Sequence, residues 1–513
     1  MTQPCNLGDL IPPDIAPERI AIISLDADMA ERTYTYGQLD ATARAVARGL
    51  LARGLKRGDR VAILAANSGD YLAACFGIMR AGLVAVPVNF KFPRELIDFV
   101  VRDSGAALVF CDAEREAACP AGVPHVTFGR QGPDGLDALL DPGDFETVVP
   151  RPDEPAMFLY TSGSTGRPKG VVLSHQSHLW VVRTRLAERS IADERYLIAA
   201  PLYHMNALAL SQLACAGGAS MVLLPQFTAR NYLLAISRYR CTWLTSVPPM
   251  IAMLFQEKEL LAQSDLSSVR NLRMGSAPVS ESLLAKIHEL LPDAAVTNAY
   301  GTTEGGPVVF GRHPDGLPTP PLSVGYPHPQ VQVRLRPGPQ DPPDTGVLEL
   351  RSPAIMLGYH NRPDLARPIT GDGYYITGDV FRRDENGFYY FVGRADDMFV
   401  SGGENIFPGE VEKMLEQHPA VQQACVVPVD DEIKGQKPVA FLVAVPGVQP
   451  PGEDEIKRYA LAHAPAYQHP RRVWWLDALP LASTNKIDRK LLKDMAARRV
   501  AGGEAAGAGL VRT

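Results

Sequence analysis

Apolar positions in the first third of the chain recur at two spacings, and the two spacings alternate. Over 39–55 they fall at Leu39, Ala43, Val46, Leu50 and Leu51, which is helical spacing, and Gly54 stops the run. The stretch 59–64 reads as a short buried strand, 71–79 as a second helix and 83–88 as the strand that follows it. A further helix over 94–102 precedes a strand over 107–111. From 196 to 299 the alternation resumes, with strands predicted at 221–224, 243–246, 269–274 and 295–298. Strands alternating with helices predict an α/β fold on mainly parallel sheets covered on both faces. No fixed-period repeat is present.

After His313 the pattern changes. Proline and glycine crowd 314–343, and short strands at 346–351 and 389–392 predict a smaller β-rich subdomain. A compact α+β unit follows: helix 408–417, strands 422–429 and 438–445, helix 453–463 and strand 473–476. The expected organisation is a large N-terminal domain of stacked α/β subdomains plus the β-rich one (1–394). A small mobile C-terminal domain (395–500) and a flexible Ala/Gly-rich tail (501–513) complete it. A chain of 513 residues exceeds what one hydrophobic core supports, which agrees with this division.

Composition narrows the function classes. Hydrophobic residues make up 46% and charged residues 21%, the balance of an ordinary globular protein. The seven cysteines are an odd number with no CxxC pair, so neither a disulfide framework nor a zinc site is supported. A net charge of −6 gives no electrostatic reason to expect nucleic acid as a partner. The N-terminus has no basic and apolar signal pattern, and no apolar run is long enough to be a transmembrane segment. A cytoplasmic enzyme is the expectation. A homodimer is allowed for, though the sequence is silent on oligomeric state.

The densest chemistry lies at 160–170, Tyr-Thr-Ser-Gly-Ser-Thr-Gly-Arg-Pro-Lys-Gly. Gly163 and Gly166 let backbone N–H groups turn toward an anion, Thr161, Ser162, Ser164 and Thr165 add hydroxyls, and Lys169 adds a positive charge. A plain Ser/Gly turn between two strands would explain the glycines but not the lysine with so many hydroxyls, so a phosphate cradle is favoured. Its spacing is not that of a Walker A loop, and the apolar Val171-Val-Leu173 after it reads as a strand, not a phosphate-binding helix. A second segment, Asn298-Ala299-Tyr300-Gly301-Thr302-Thr303-Glu304, ends a strand in an aromatic, a turn, two hydroxyls and an acid. Tyr300 could stack on a base, Thr303 could donate to a phosphate and Glu304 could bind Mg²⁺, which prefers carboxylate oxygens. Alone this is also a common turn. In a third segment, Asp379 after Gly378 suits ribose hydroxyls, and Arg394 precedes the acids Asp396 and Asp397, where a surface ion pair would be ordinary. The fourth, around Lys486, would by itself be a solvated basic helix start.

Together and in this order the four segments resemble the adenylate-forming superfamily: acyl- and aryl-CoA synthetases, the adenylation domains of nonribosomal peptide synthetases, and firefly luciferase. Bacterial acyl- or aryl-CoA ligases are the closest group, and the resemblance spans nearly the whole chain. It implies ATP, Mg²⁺ and coenzyme A as cofactor and co-substrates, with Thr161 and Glu304 at the metal positions. Gly275-Ser276-Ala277-Pro278 and Asn298–Tyr300 fall at its adenine-binding segments. Thr303 falls at the α-phosphate contact, and Asp379 and Arg394 at the ribose. Lys486 corresponds to the lysine that binds carboxylate and α-phosphate, Asp396 to the hinge, and Gly402 and Gly403 to the pantetheine tunnel. Asn485 stands where the family usually has glycine; Asn tolerates left-handed backbone angles, so the turn is expected to survive.

The implied activity is AMP-forming ligation of a carboxylic acid to coenzyme A. Two anions meet when a carboxylate attacks the ATP α-phosphorus, so positioned cations and donors supply most of the help and no protein nucleophile is needed. Pro201-Leu-Tyr-His-Met-Asn-Ala207 matches the family segment beside the acyl pocket, with Tyr203 and His204 at its border, although an unassigned buried histidine is more often packing. Val247, Met274, Gly275, Ala299, Gly306, Pro307 and Val308 complete the expected pocket. The absence of Arg or Lys among them disfavours a dicarboxylate and leaves an aromatic or a short- to medium-chain aliphatic monocarboxylic acid. The alternatives are a stand-alone amino-acid or acyl adenylating enzyme loading another acceptor, and a catalytically dead nucleotide-binding protein. No carrier domain is expected after Lys486. The dead-protein reading predicts damage at Thr161, Lys169, Glu304, Asp379, Arg394 or Lys486, and all are intact.

Overall fold

The computed structural model of the protein describes residues 4–161, 167–275, 279–338, 342–365, 368–401, 404–431, 434–482 and 486–501. Two seven-stranded sheets carry its N-terminal part. The first runs from edge to edge as Ala295–Ala299, Asn271–Gly275, Trp243–Ser246, Arg195–Ile198, Ser220–Leu223, Ile20–Leu25 and Glu31–Thr35. All its neighbours are parallel except the last pair. The second runs Gly358–Tyr359, Lys169–Ser174, Pro155–Thr161, Val84–Pro87, Arg60–Leu64, Ala106–Cys111 and His125–Thr127. It is parallel from Pro155–Thr161 onward and antiparallel on the other side.

Local chemistry explains why these segments form. Helix Tyr36–Ala52 starts at a reciprocal cap, in which the Thr35 side chain accepts from the Gln38 N–H and the Gln38 side chain accepts from the Thr35 N–H. Its stripe Leu39, Ala43, Val46 and Leu50 is wholly buried, within a core that joins the facing sides of both sheets. Helix Gly69–Arg80 packs into the same core and is buried throughout, and its last residue, Arg80, pairs with Asp40 at 2.7 Å. A second core covers the other face of the first sheet, under helices Ala229–Tyr239, Pro248–Leu254 and Glu281–Leu290.

A four-stranded antiparallel sheet (Gln332–Arg336, Thr345–Arg351, Tyr375–Arg383 and Tyr389–Arg394) follows, as the proline- and glycine-rich stretch suggested. Beyond it lies a C-terminal domain on a five-stranded sheet. Along its strand Val421–Asp431 the residues alternate between two cores, Ala424 and Val426 on one face, Cys425, Val427 and Val429 on the other. Among the described residues no helix is long and apolar enough to cross a membrane.

Candidate active site

The parallel strands of the first sheet end at Gly275 and Ala299, in register with one another, and ligands in open α/β sheets bind at such carboxyl ends. A Cβ on Gly275 would lie 3.0 Å from the Ala299 carbonyl oxygen, so the smallest residue keeps this rim open. Beyond Ala299 the chain makes a tight turn in which Thr302 Oγ1 accepts from the Gly305 N–H at 2.8 Å. Gly306 has φ +90°, and a Cβ there would stand 2.4 Å from the Ala354 Cβ. Gly306→Ala should therefore lose about 2–4 kcal/mol through backbone strain and overpacking. A urea midpoint equal to that of the unmodified protein would count against this.

The segment 162–166 is carried between strands Pro155–Thr161 and Lys169–Ser174, which pair antiparallel with Thr161 opposite Lys169. A strand, not a helix, therefore follows the loop. Thr161 Oγ1 is buried with no partner among the described residues. Lys169 Nζ sits 4.8 Å over the Tyr359 ring, and the Tyr359 hydroxyl donates to Glu304 Oε1 at 3.1 Å. The Glu304 carbonyl accepts from the Met356 N–H at 2.8 Å, which ties the acid to the segment leading into strand Gly358–Tyr359. Lys169 and Glu304, 135 positions apart, thus share one aromatic side chain.

Asp379 and Arg394 face each other across antiparallel strands, and Arg394 Nη1 donates to Asp379 Oδ1 at 3.1 Å. Tyr300 donates its hydroxyl to Asp379 Oδ2 at 2.5 Å. Burial pushes the Asp379 carboxyl up, against the pull of Arg394 and Tyr300. Arg394 reaches Asp396 only at 3.7 Å, so its principal partner is the buried acid and not the exposed one. The Tyr300 ring packs edge-on against Phe381 at 4.8 Å.

Lys486 comes from the C-terminal domain. The Ala482 N–H donates to the Lys486 carbonyl at 2.7 Å and the Asp488 N–H to the Pro480 carbonyl at 2.8 Å, closing the turn that presents it. Arg489, at the start of the next helix, grips both oxygens of Glu412 at 2.5 and 2.6 Å and fastens the turn to the domain core. Lys486 is exposed, yet enough protein surrounds it that lost hydration lowers its pKa. Asp379 opposes that fall and Arg394 adds to it. His204 feels the same lysine: burial first, then Lys486 and Lys91, lower its pKa to about 3, so the ring is neutral. Its Nε2 is buried without a partner among the described residues, and Tyr203 packs against it at 4.5 Å. The fold thus brings Lys486 within electrostatic reach of Asp379 and Arg394 on one side and of His204 on the other.

The other expected residues divide. Asn298 donates its side-chain amide to the Leu322 carbonyl at 2.9 Å, which holds the strand end. Pro307 and Val308 follow Gly306, and Val308 packs with Val181 and Ala354. Met274 does not join them. Strand alternation turns Leu272 and Met274 into the second core, where Val247 also packs, and leaves Arg273 on the Gly275 face. Sequence reasoning passed over Arg273; a charge between two apolar strand residues, Leu272 and Met274, was the available signal. Ser162, Gly163, Ser164, Thr165, Gly166, Ser276, Ala277, Pro278, Gly402 and Gly403 lie outside the described residues. No group of three or more His, Cys, Asp or Glu side chains suited to a metal occurs among the described residues. That is compatible with Mg²⁺ held by one carboxylate, a hydroxyl, substrate phosphates and water.

Comparison with known proteins bears on this arrangement. Residues 14–360 match the AMP-binding enzyme family and residues 410–486 its C-terminal domain. The chain is 35% identical to a feruloyl-CoA synthase of an Amycolatopsis species over 464 residues, 88% of this chain and 92% of that one. It is 33% identical to a fatty acid–[acyl-carrier-protein] ligase of Streptomyces coeruleorubidus over 484 residues, 90% and 92% of the two chains. Among solved structures it resembles an anthranilate–CoA ligase in complex with anthranoyl-AMP. There the TM-score is 0.86 and the identity 26%, covering 98% of this chain and 99% of that one.

Proposed function

Because this chain belongs to the AMP-binding enzyme family, we propose that it is an AMP-forming carboxylate–CoA ligase acting on an aromatic acid. In the first step a carboxylate oxygen of the acid bonds to the ATP α-phosphorus and pyrophosphate leaves. In the second the coenzyme A sulfur bonds to the acyl carbon and AMP leaves with the electron pair of the broken C–O bond. The observation that carries the reading is that Lys486, from the C-terminal domain, feels Asp379 and Arg394 and is felt by His204. Likeness to a feruloyl-CoA synthase and an anthranilate–CoA ligase supports an aromatic acid.

Each side chain has a task that its surroundings favour. Lys486 lies between carboxylate and α-phosphate and offsets their repulsion. His204, neutral and with Nε2 unpartnered, can donate to the acid's carboxylate without competing for the negative charge. Asp379, fixed by Tyr300 and Arg394, accepts from ribose hydroxyls through its remaining lone pairs. Lys169 with the loop hydroxyls holds the departing pyrophosphate. Thr161 Oγ1 and Glu304 fit Mg²⁺: one is a buried oxygen with no partner among the described residues, the other a carboxylate that shares Tyr359 with Lys169. The ion would neutralise phosphate charge as pyrophosphate departs. Rotation of the C-terminal domain about Asp396 would withdraw Lys486 and bring Gly402 and Gly403 to the cleft for the thioester step.

The test is a panel of carboxylic acids with ATP, Mg²⁺ and coenzyme A, following AMP and thioester together. Equal amounts of both with an aryl acid are expected. AMP without thioester would favour a second reading, suggested by the acyl-carrier-protein ligase, in which the acyl group goes to a carrier protein. Neither product with any acid would sink the ligase.

A further inference from the structure

Arg273 is a largely enclosed cation with no ion-pair partner among the described residues. It lies in strand Asn271–Gly275, where Leu272 and Met274 are buried in the second core and Arg273 shares the opposite face with Gly275. Two residues along a strand span about 6.6 Å, so its backbone lies roughly one para-substituted ring's length below the rim where adenine and acyl group are expected. Its Nη2 donates to the Pro307 carbonyl at 3.2 Å, and Pro307 precedes Val308, which packs with Val181 and Ala354. Among the described residues no carboxylate comes within ion-pair distance of it. The acid within its electrostatic reach, Glu188, is engaged by Arg185 at 3.0 Å. Burial, then the like charge of Arg185, lowers the Arg273 pKa to about 9, so it stays charged at neutral pH. The residue is only half-buried, so it is not sealed in packing.

A charge this enclosed, with a neutral carbonyl as its hydrogen-bond partner, is unfavourable unless something else pairs with it. A purely structural role, clamping the 306–308 segment, needs a single neutral donor, and an asparagine or glutamine would do that with less desolvation. Resting on the ligase reading above, we propose that Arg273 is the specificity-determining residue of the acyl pocket, and that the preferred acid carries an oxygen acceptor at the end far from its reacting carboxylate. A ring hydroxyl and a second carboxylate share that chemistry. A site built to hydrogen-bond such a group discriminates strongly against the analogue lacking it, because the buried donor is then left unpaired. The set of apolar residues expected from sequence argued against a second carboxylate; Arg273 in place of Met274 reverses that argument.

The experiment measures kcat/KM for pyrophosphate release by the full chain with cinnamate, 4-hydroxycinnamate and 4-carboxycinnamate. The unmodified enzyme should prefer one or both oxygen-bearing acids over cinnamate by about 10- to 100-fold, the worth of a hydrogen bond to a charged group. Which of them it prefers identifies the acceptor. In Arg273→Met the ratio should fall close to one, chiefly through KM, and Arg273→Lys should keep part of it. A clamp on the 306–308 segment would instead weaken all three acids alike and leave the ratio unchanged, which overturns the proposal. An unmodified enzyme that favours cinnamate overturns it too. AMP binding checks that Arg273→Met is folded; if it is not, the ratio in Arg273→Lys decides, and one equal to that of the unmodified enzyme counts against the proposal. Pyrophosphate release with cinnamate but no preference would remove this inference and leave the ligase standing. No release with any acid would remove both.

Discussion

Replacing Lys486 by alanine is expected to slow acyl-adenylate formation by at least a hundredfold while largely sparing thioester formation from supplied acyl-adenylate and coenzyme A. The magnitude follows from removing one preorganised charge aimed at the reacting phosphate, which typically costs about 10²- to 10³-fold. The asymmetry follows from where the lysine comes from. It sits on a turn of the C-terminal domain, fastened through Arg489 to Glu412 and not to the strand that carries Asp379 or the turn that carries Glu304. A charge supplied by a separate domain can be present for one half-reaction and withdrawn for the other. Stopped assays of both half-reactions check this, and equal loss in the two would contradict domain rotation. The same residue sets a pH limb. Its pKa is lowered, so its charge is lost at lower pH than for a free lysine, and adenylation should decline on the alkaline side accordingly. Lys486→Arg keeps its charge throughout, so whatever activity it retains should lack that limb.

How much of this was legible beforehand depended on whether neighbours in the chain or neighbours in space carried the signal. Helix Tyr36–Ala52 and strand Trp243–Ser246 were readable because each writes its own period in apolar residues. Strand Glu31–Thr35 was not: it is an edge strand reading Glu-Arg-Thr-Tyr-Thr, mostly exposed, and it pairs with Ile20–Leu25 without an apolar alternation of its own. The site divides the same way. Thr161, Lys169, Glu304, Asp379 and Lys486 stand in dense polar motifs whose order along the chain is itself informative. The expected acyl pocket has a motif on one border only, at 201–207. Its lining is set by which face of a strand looks at the cleft, and one step of register exchanges Met274 for Arg273. A strand placed at 269–274 and found at Asn271–Gly275 gave the right element, but the faces become known only when Leu272 and Met274 are seen to share a core with Leu244 and Ile251. Likewise the Tyr359 link between Lys169 and Glu304 joins segments far apart in sequence, and no spacing rule could have suggested it.

That link makes Glu304→Gln the sharper test of the metal position. Glutamine has the size of glutamate and still offers an oxygen to the Tyr359 hydroxyl, and the backbone bond from Met356 is untouched. Stability should therefore change little, and thermal unfolding should show it. The negative charge is lost, and with it the carboxylate oxygen that a hard, closely hydrated cation prefers to an amide. Adenylation should fall by about 10²- to 10³-fold, comparable to the loss of one electrostatic group at the transition state. The Mg²⁺ concentration for half-maximal rate should rise, and excess Mg²⁺ should restore part of the rate. If the rate falls with no change in Mg²⁺ dependence, Glu304 acts through Tyr359 and Lys169 on the phosphate loop and not through the ion. In that case Tyr359→Phe, which removes the 3.1 Å bond and leaves the ring beneath Lys169, should reproduce the defect. If the ion is the mediator, Tyr359→Phe should leave most of the rate intact, because a carboxylate released from one hydrogen bond remains free to bind Mg²⁺.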